Sequence, residues 1–80
     1  MVRLDVRFSD RIDWVKITGD FFLHPEETLD RIEGCLVGAP LPLDQPGLTD
    51  CIARCLSESQ AELIGASPVD IVSLLQEVVG

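Results

Sequence analysis

Apolar and polar residues alternate without a break from Val2 to Ser9. A period of two is typical of a strand that buries one face. Ser9-Asp10-Arg11 then supplies side chains that favour a turn, and residues 12–18 are rich in β-branched and aromatic types. These two segments predict an antiparallel hairpin at the start of the chain.

The hairpin leads into Gly19-Asp20-Phe21-Phe22. The glycine predicts a bulge or bend, and the phenylalanines predict a short third strand. Together with Trp14, these two phenylalanines place three aromatic side chains within nine positions. Exposed aromatic residues often anchor protein interfaces, whereas in a small domain the same rings can simply fill the core.

Helical periodicity follows in three segments. The first is predicted to start at His24-Pro25-Glu26-Glu27 and to end at Gly38. A connector with three prolines covers residues 39–47, and the second helix is predicted over 48–56. The third begins with Ser67 as N-cap and continues almost to Gly80. The predicted fold is therefore one α+β domain, residues 1–80, with a small antiparallel sheet of two or three strands covered by about three helices.

The charge balance restricts the partners. Six Lys and Arg stand against 14 Asp and Glu, which gives a net charge of −8. That charge argues against nucleic acid and anionic membranes as partners, and it suits either a basic protein partner or simple solubility. No apolar run approaches the roughly 20 residues of a membrane span, so we expect a cytoplasmic protein. A chain this short also has little room for a deep substrate pocket, which argues against an enzyme that acts alone.

Candidate chemistry is sparse. Cys35, Cys51 and Cys55 are odd in number and lie at helical spacing among apolar residues. Packing as small buried hydrophobes explains them best, while binding of zinc or an iron–sulfur cluster is the alternative. Asp20 and His24 could form an acid–base couple, but local roles at a strand-to-helix junction explain them better. We predict no catalytic residues and no metal ligands.

The second predicted strand and the segments that follow it resemble those of a known family. The residues in question are Ile12-Asp13-Trp14-Val15-Lys16-Ile17-Thr18-Gly19-Asp20-Phe21-Phe22, then Pro25-Glu26-Glu27, Ile32-Glu33, Leu36-Val37-Gly38, and the segment 61–67 before the last helix. In this order they resemble the C-terminal accessory domain of lipoate–protein ligases. The resemblance covers nearly the whole chain, although its Gly-Asp-Phe-Phe motif is short.

The resemblance implies a role and a fold. In such ligases a large domain binds lipoate and ATP, forms lipoyl-adenylate and transfers lipoyl to a lysine of a carrier domain. The small domain has no catalytic residues, moves relative to the large one, and is needed for adenylation. In some prokaryotes it is a separate polypeptide. The family's fold also resembles that of iron–sulfur cluster scaffold proteins, but the cysteine expected after the strands is replaced here by Gly19-Asp20-Phe21.

One departure from the family concerns the start of the chain. Members carry a Gly-Lys segment just before the first strand, whereas here Met1 leads directly into Val2. The role of that lysine therefore has no counterpart among these residues, because Lys16 lies inside the second predicted strand and is expected to face solvent. A chain that opens in this way fits either the two-chain arrangement or a truncated protein.

The resulting hypothesis is a non-catalytic accessory subunit of a two-component, ATP-dependent lipoate–protein ligase. The chain itself is expected to bind no cofactor, while lipoate, ATP and Mg are expected on the catalytic subunit, its direct partner, and lipoyl carrier domains are indirect partners. The predicted interface residues are Trp14, Asp20, Phe21, Phe22 and His24. The alternatives are an iron–sulfur or zinc carrier using Cys35, Cys51 and Cys55, or an acidic adaptor module.

Overall fold

The computed structural model describes residues 2–80 and has the α+β composition that the sequence predicts. Its elements in chain order are β1 (Val2–Phe8), β2 (Ile12–Gly19), β3 (Phe22–His24), α1 (Thr28–Leu36), α2 (Gln45–Glu58), β4 (Glu62–Ile64) and α3 (Pro68–Val79). The predicted N-terminal hairpin and three helices are confirmed. Met1, and with it the junction before the first strand, lies outside the described residues.

The hairpin contains a bulge that explains the irregular pattern of β2. Val6 pairs with Val15 and Arg7 with Trp14, but Phe8 pairs with Ile12, so Asp13 is an extra residue on its strand. The extra residue shifts the alternation of the strand by one position, so residues three apart across the bulge can face the same way. Ile12 and Val15 are accordingly both buried, and Trp14 is on the outer face.

The second edge of β2 is covered by α1 and the segment after it. The backbone N–H of Ile17 donates to the Glu33 carboxylate at 2.9 Å. Nearer the turn, the Ile12 N–H donates to the Ala39 carbonyl at 2.9 Å, and the Gly38 N–H donates to the Ile12 carbonyl at 2.7 Å. Since an open strand edge invites pairing with other chains, these bonds protect one side of the hairpin.

The third predicted strand is present but does not extend the hairpin. β3 pairs antiparallel with β4, with Leu23 opposite Leu63, and forms a separate two-stranded ribbon. The sequence pattern predicts no element at β4, because three residues are too few to show a period. Gly65 follows β4 with φ of +92°, and a Cβ there would lie 3.2 Å from the Asp20 carbonyl oxygen.

Two helices begin at positions that differ from the prediction. α1 starts at Thr28 and not at His24-Pro25, because residues 25–27 form a turn in which the Thr28 N–H donates to the Pro25 carbonyl at 3.1 Å. α2 starts at Gln45, inside the predicted proline-rich connector. Asp44 caps it by accepting from the Gly47 N–H, and Pro46 is tolerated because the first turn does not need its N–H.

The start of α3 follows the prediction: the Ser67 hydroxyl accepts from the Asp70 N–H at 3.2 Å. The core lies between the inner face of the hairpin and the three helices. Its buried hydrophobic residues are Ile12, Val15, Ile17, Leu23, Ile32, Leu36, Leu48, Ile52, Cys55, Ile71, Val72 and Leu75. Within residues 2–80, no helix has the length and apolar character needed to cross a bilayer.

Candidate functional site: two exposed faces and a thiol cluster

The outer face of the hairpin combines an aromatic ring with positive charge. The register places Arg7 opposite Trp14, and Lys16 opposite Asp5. The Arg7 guanidinium carbon lies 5.6 Å from the centre of the Trp14 ring, a cation–π distance. Trp14 remains 45% exposed, and Lys16 is exposed as predicted. We call the outward side chains of β1 and β2 the hairpin face.

The hairpin face is basic, although the molecule as a whole is acidic. Arg3 opposite Thr18 completes the face, so it carries three of the chain's six basic residues in a molecule of net charge −8. Asp5 forms a 3.6 Å ion pair with Arg3, and because both groups are exposed this pair contributes little to stability. The face is therefore a locally basic surface on an acidic domain.

A second exposed face lies on the ribbon. Phe22 stands opposite Ile64, and His24 stands opposite Glu62. The rings of Phe22 and His24 stack with centroids 6.3 Å apart and an interplanar angle of 14°. Phe22 and Ile64 are each 53% exposed. We call these four outward side chains the ribbon face, and its apolar part is the pair Phe22 and Ile64.

Phe21 and Asp20 occupy the junction between the two sheets. Phe21 is half-buried against the core and lines an open surface depression of about 400 Å³ together with Phe22, Leu29 and Asp30. Asp20 is exposed, and its backbone carbonyl is held close to Gly65. Phe21 thus acts partly as a packing residue, which is the alternative that the sequence left open.

The five predicted interface residues therefore occupy three places. Phe22 and His24 share the ribbon face, Asp20 and Phe21 lie beside it, and Trp14 lies on the hairpin face. Five residues of extended strand separate Trp14 from the end of β2 at Gly19, a distance of about 16 Å at 3.3 Å per residue. The structure brings four of them into one neighbourhood and leaves Trp14 on another surface.

Sequence reasoning missed several members of these faces. Arg3 and Arg7 occupy the polar positions of the alternating strand, so the pattern itself could have placed them on the outer face that they share with Trp14. Glu62 and Ile64 carried no such signal, because their strand pairs with a segment about 40 residues earlier.

The three cysteines meet between α1 and α2. The Sγ atom of Cys35 lies 2.6 Å from that of Cys51 and 3.1 Å from that of Cys55, and all three sulfur atoms lie within 4.8 Å of one another. Cys55 is buried, whereas Cys35 and Cys51 are half-buried. Burial, followed by the neighbouring thiols, raises the pKa of the Cys35 thiol well above its usual range. We call this group the thiol cluster, and His24 lies away from it on the ribbon.

The fold has a counterpart among solved structures. The chain matches a chain from the structure of an archaeal lipoylation system, a bi-partite lipoate protein ligase and its E2 lipoyl domain, from Thermoplasma acidophilum. The TM-score is 0.70 and the sequence identity is 27%, over 92% of this chain and 80% of the other. No family model and no curated protein sequence matches the chain. The chain is therefore structurally similar to a component of a lipoylation system.

Proposed function

We propose that this chain is the non-catalytic accessory subunit of a two-component lipoate–protein ligase. It acts with a separate catalytic subunit, which holds lipoate, ATP and Mg, in the adenylation of lipoate and the lipoylation of carrier domains. The observation that carries the proposal is the structural likeness to a chain of the Thermoplasma acidophilum lipoylation system over 92% of the present chain. The resemblance of the Gly19-Asp20-Phe21-Phe22 segment supports the same assignment.

An accessory subunit must present a surface to its partner, and the hairpin face suits this role. Large rigid rings anchor interfaces because they bury much area at little cost in conformational entropy. Trp14 offers such a ring, and Arg7, which stacks on it, can also pair with a carboxylate of the partner. Basic groups around the ring would speed association with an acidic patch.

The ribbon face offers a second, apolar contact. Phe22 and Ile64 expose adjacent hydrophobic surface across the two strands, and His24 extends it by stacking on Phe22. Because isolated exposed apolar residues are common, adjacency is what distinguishes this pair. We assign both faces to the contact with the catalytic subunit, and they are tested separately.

The assignment of the faces is tested by co-purification with the catalytic subunit. We expect Trp14→Ala and Phe22→Ala each to weaken the complex at least about tenfold, as truncation of an interface anchor does. Val69→Ala is the matched control, because Val69 is an equally exposed apolar side chain on α3. Calorimetric titration gives the affinities, and circular dichroism confirms that each variant is folded.

The function itself is tested by lipoyl transfer. The reaction contains the catalytic subunit, lipoate, ATP, Mg and a lipoyl carrier domain, and it is run with and without this chain. The mass of the carrier domain is then measured by mass spectrometry. We expect lipoylated carrier only when the chain is present. Equal lipoylation without the chain would refute the proposal, whatever the faces bind.

A further inference from the structure

The thiol cluster is built from two helices that the rest of the fold holds together. Cys51 and Cys55 are four residues apart on α2, so both project from one side of the helix. Cys35 comes from the last turn of α1 and reaches both of them. No part of the proposed ligase role uses these side chains, and they lie on neither exposed face.

The three sulfur atoms are close enough together to share one ligand. A tetrahedral zinc ion with bonds of about 2.3 Å to sulfur holds its thiolates about 3.8 Å apart. The separations of 2.6 and 3.1 Å from the Cys35 sulfur are shorter than that value, and all three sulfur atoms lie within 4.8 Å of one another. To bind an ion, the Cys35 sulfur would have to move away from its two neighbours by about 1 Å, which rotation about its Cα–Cβ bond allows.

Metal binding by the cluster is coupled to loss of its thiol protons. Without a metal the Cys35 thiol stays protonated, because burial and two neighbouring thiols raise its pKa. A bound cation reverses this balance: each thiol releases its proton to solvent as its sulfur binds the metal.

Solvent reaches the cluster from two sides. One depression of about 300 Å³ is lined by Cys51, Cys55, Arg54 and Glu58. Another, of about 430 Å³, is lined by Cys35 among the residues that follow α1 and begin α2. These depressions give an ion a path from solvent to the sulfur atoms.

We propose that Cys35, Cys51 and Cys55 bind one thiophilic metal cation, Zn²⁺ or Cu⁺, through three sulfur atoms, and that this ion links α1 to α2. Soft thiolate ligands favour these two ions among the common biological metals. The proposal concerns a site in this chain and goes beyond the ligase role. Its test needs no partner protein, so the metal-site proposal and the ligase proposal can fail independently.

The test uses the untagged, fully reduced protein under anaerobic conditions. Co²⁺, as a spectroscopic substitute for Zn²⁺, should give a thiolate-to-cobalt charge-transfer band and tetrahedral d–d bands that saturate at one ion per chain. Zn²⁺ should displace Co²⁺ and raise the Tm. In a parallel titration, Cu⁺ should be withdrawn from a colorimetric chelator at the same stoichiometry. Saturation by either Zn²⁺ or Cu⁺ supports the proposal.

The variants separate a three-sulfur site from adventitious binding. Cys35→Ser and Cys51→Ser, both at half-buried positions, should each weaken binding at least about 100-fold, since even outer-shell changes at metal sites cost 10- to 100-fold. His24→Asn, which removes the chain's one histidine, should leave the affinity unchanged. The proposal is overturned if neither Zn²⁺ nor Cu⁺ saturates the reduced protein, or if folded cysteine variants bind as tightly as the parent chain.

Discussion

Residues 2–80 form two antiparallel two-stranded sheets, which differ in length, in sequence separation and in the character of their exposed faces, although both expose aromatic side chains. The β1–β2 hairpin joins neighbouring segments over seven register pairs, whereas the β3–β4 ribbon joins distant segments over three. The hairpin packs one face against the helices, where Ile12, Val15 and Ile17 are buried, and exposes a basic face. The ribbon buries chiefly Leu23 and exposes the apolar pair Phe22 and Ile64.

This difference indicates that the inner face of the hairpin contributes mainly to stability, whereas the outer face of the ribbon is available for recognition. The hairpin can form from local sequence and contributes three buried core residues, Ile12, Val15 and Ile17, whereas the ribbon contributes only Leu23. The inner residues of the hairpin should therefore contribute more to the free energy of unfolding than those of the ribbon. The ribbon depends on the rest of the fold to bring its strands together, because a short two-stranded pair is not stable by itself. Its outer residues are therefore available for binding at little cost to stability.

The largest expected effect is on the inner face of the hairpin. Ile17→Ala should lower the free energy of unfolding by about 3 kcal/mol, since Ile17 is 3% exposed and its truncation leaves a cavity. Phe22→Ala on the ribbon face should cost much less. Urea denaturation of both variants measures the contrast, and similar losses would contradict the division between the two sheets.

The next effect concerns the junction of the ribbon. Gly65→Ala should destabilise the protein by about 1–2 kcal/mol, because a side chain at φ of +92° is strained and its Cβ would crowd the Asp20 carbonyl. Gly34→Ala is the matched control, since Gly34 lies inside α1 with open space around a Cβ. There alanine should stabilise by about 0.5–1 kcal/mol. Thermal unfolding should shift Tm in opposite directions, and a shift in the same direction would refute the argument.

The smallest effect is on the covered edge of the hairpin. Glu33→Ala removes the acceptor for the Ile17 N–H and should cost about 1 kcal/mol, the usual net value of such a bond. Hydrogen exchange measures the result at one amide: the Ile17 N–H should exchange faster in the variant. Unchanged protection of that amide would show that α1 covers the edge without this carboxylate.

The parts of the fold that depend on local signals were predictable. The alternation in β1 and the Ser67 cap of α3 were both sufficient to place their elements. The bulge at Asp13 was not predictable, because it shows only as an irregular pattern of apolar positions in β2. α2 starts earlier than the pattern predicts, because the three prolines of residues 39–47 indicate a connector, whereas Pro46 in fact lies in the first turn of the helix.

The candidate site was predictable only in part. Trp14, Phe22 and His24 are outward-facing, but their division between two faces depends on where each strand pairs, which no local pattern specifies. The three cysteines were expected on helix faces, and they are. Their convergence depends on the packing of α1 against α2, which sets which turn of one helix meets which turn of the other.

The most direct test of the central claim is lipoate-dependent release of pyrophosphate from ATP. This chain is titrated into a fixed amount of the catalytic subunit, and the rate of release is recorded. The account predicts a low rate without the chain, a rise that saturates at one chain per catalytic subunit, and a requirement for higher concentrations of Trp14→Ala. A full rate from the catalytic subunit alone, unchanged by any amount of this chain, would contradict the account.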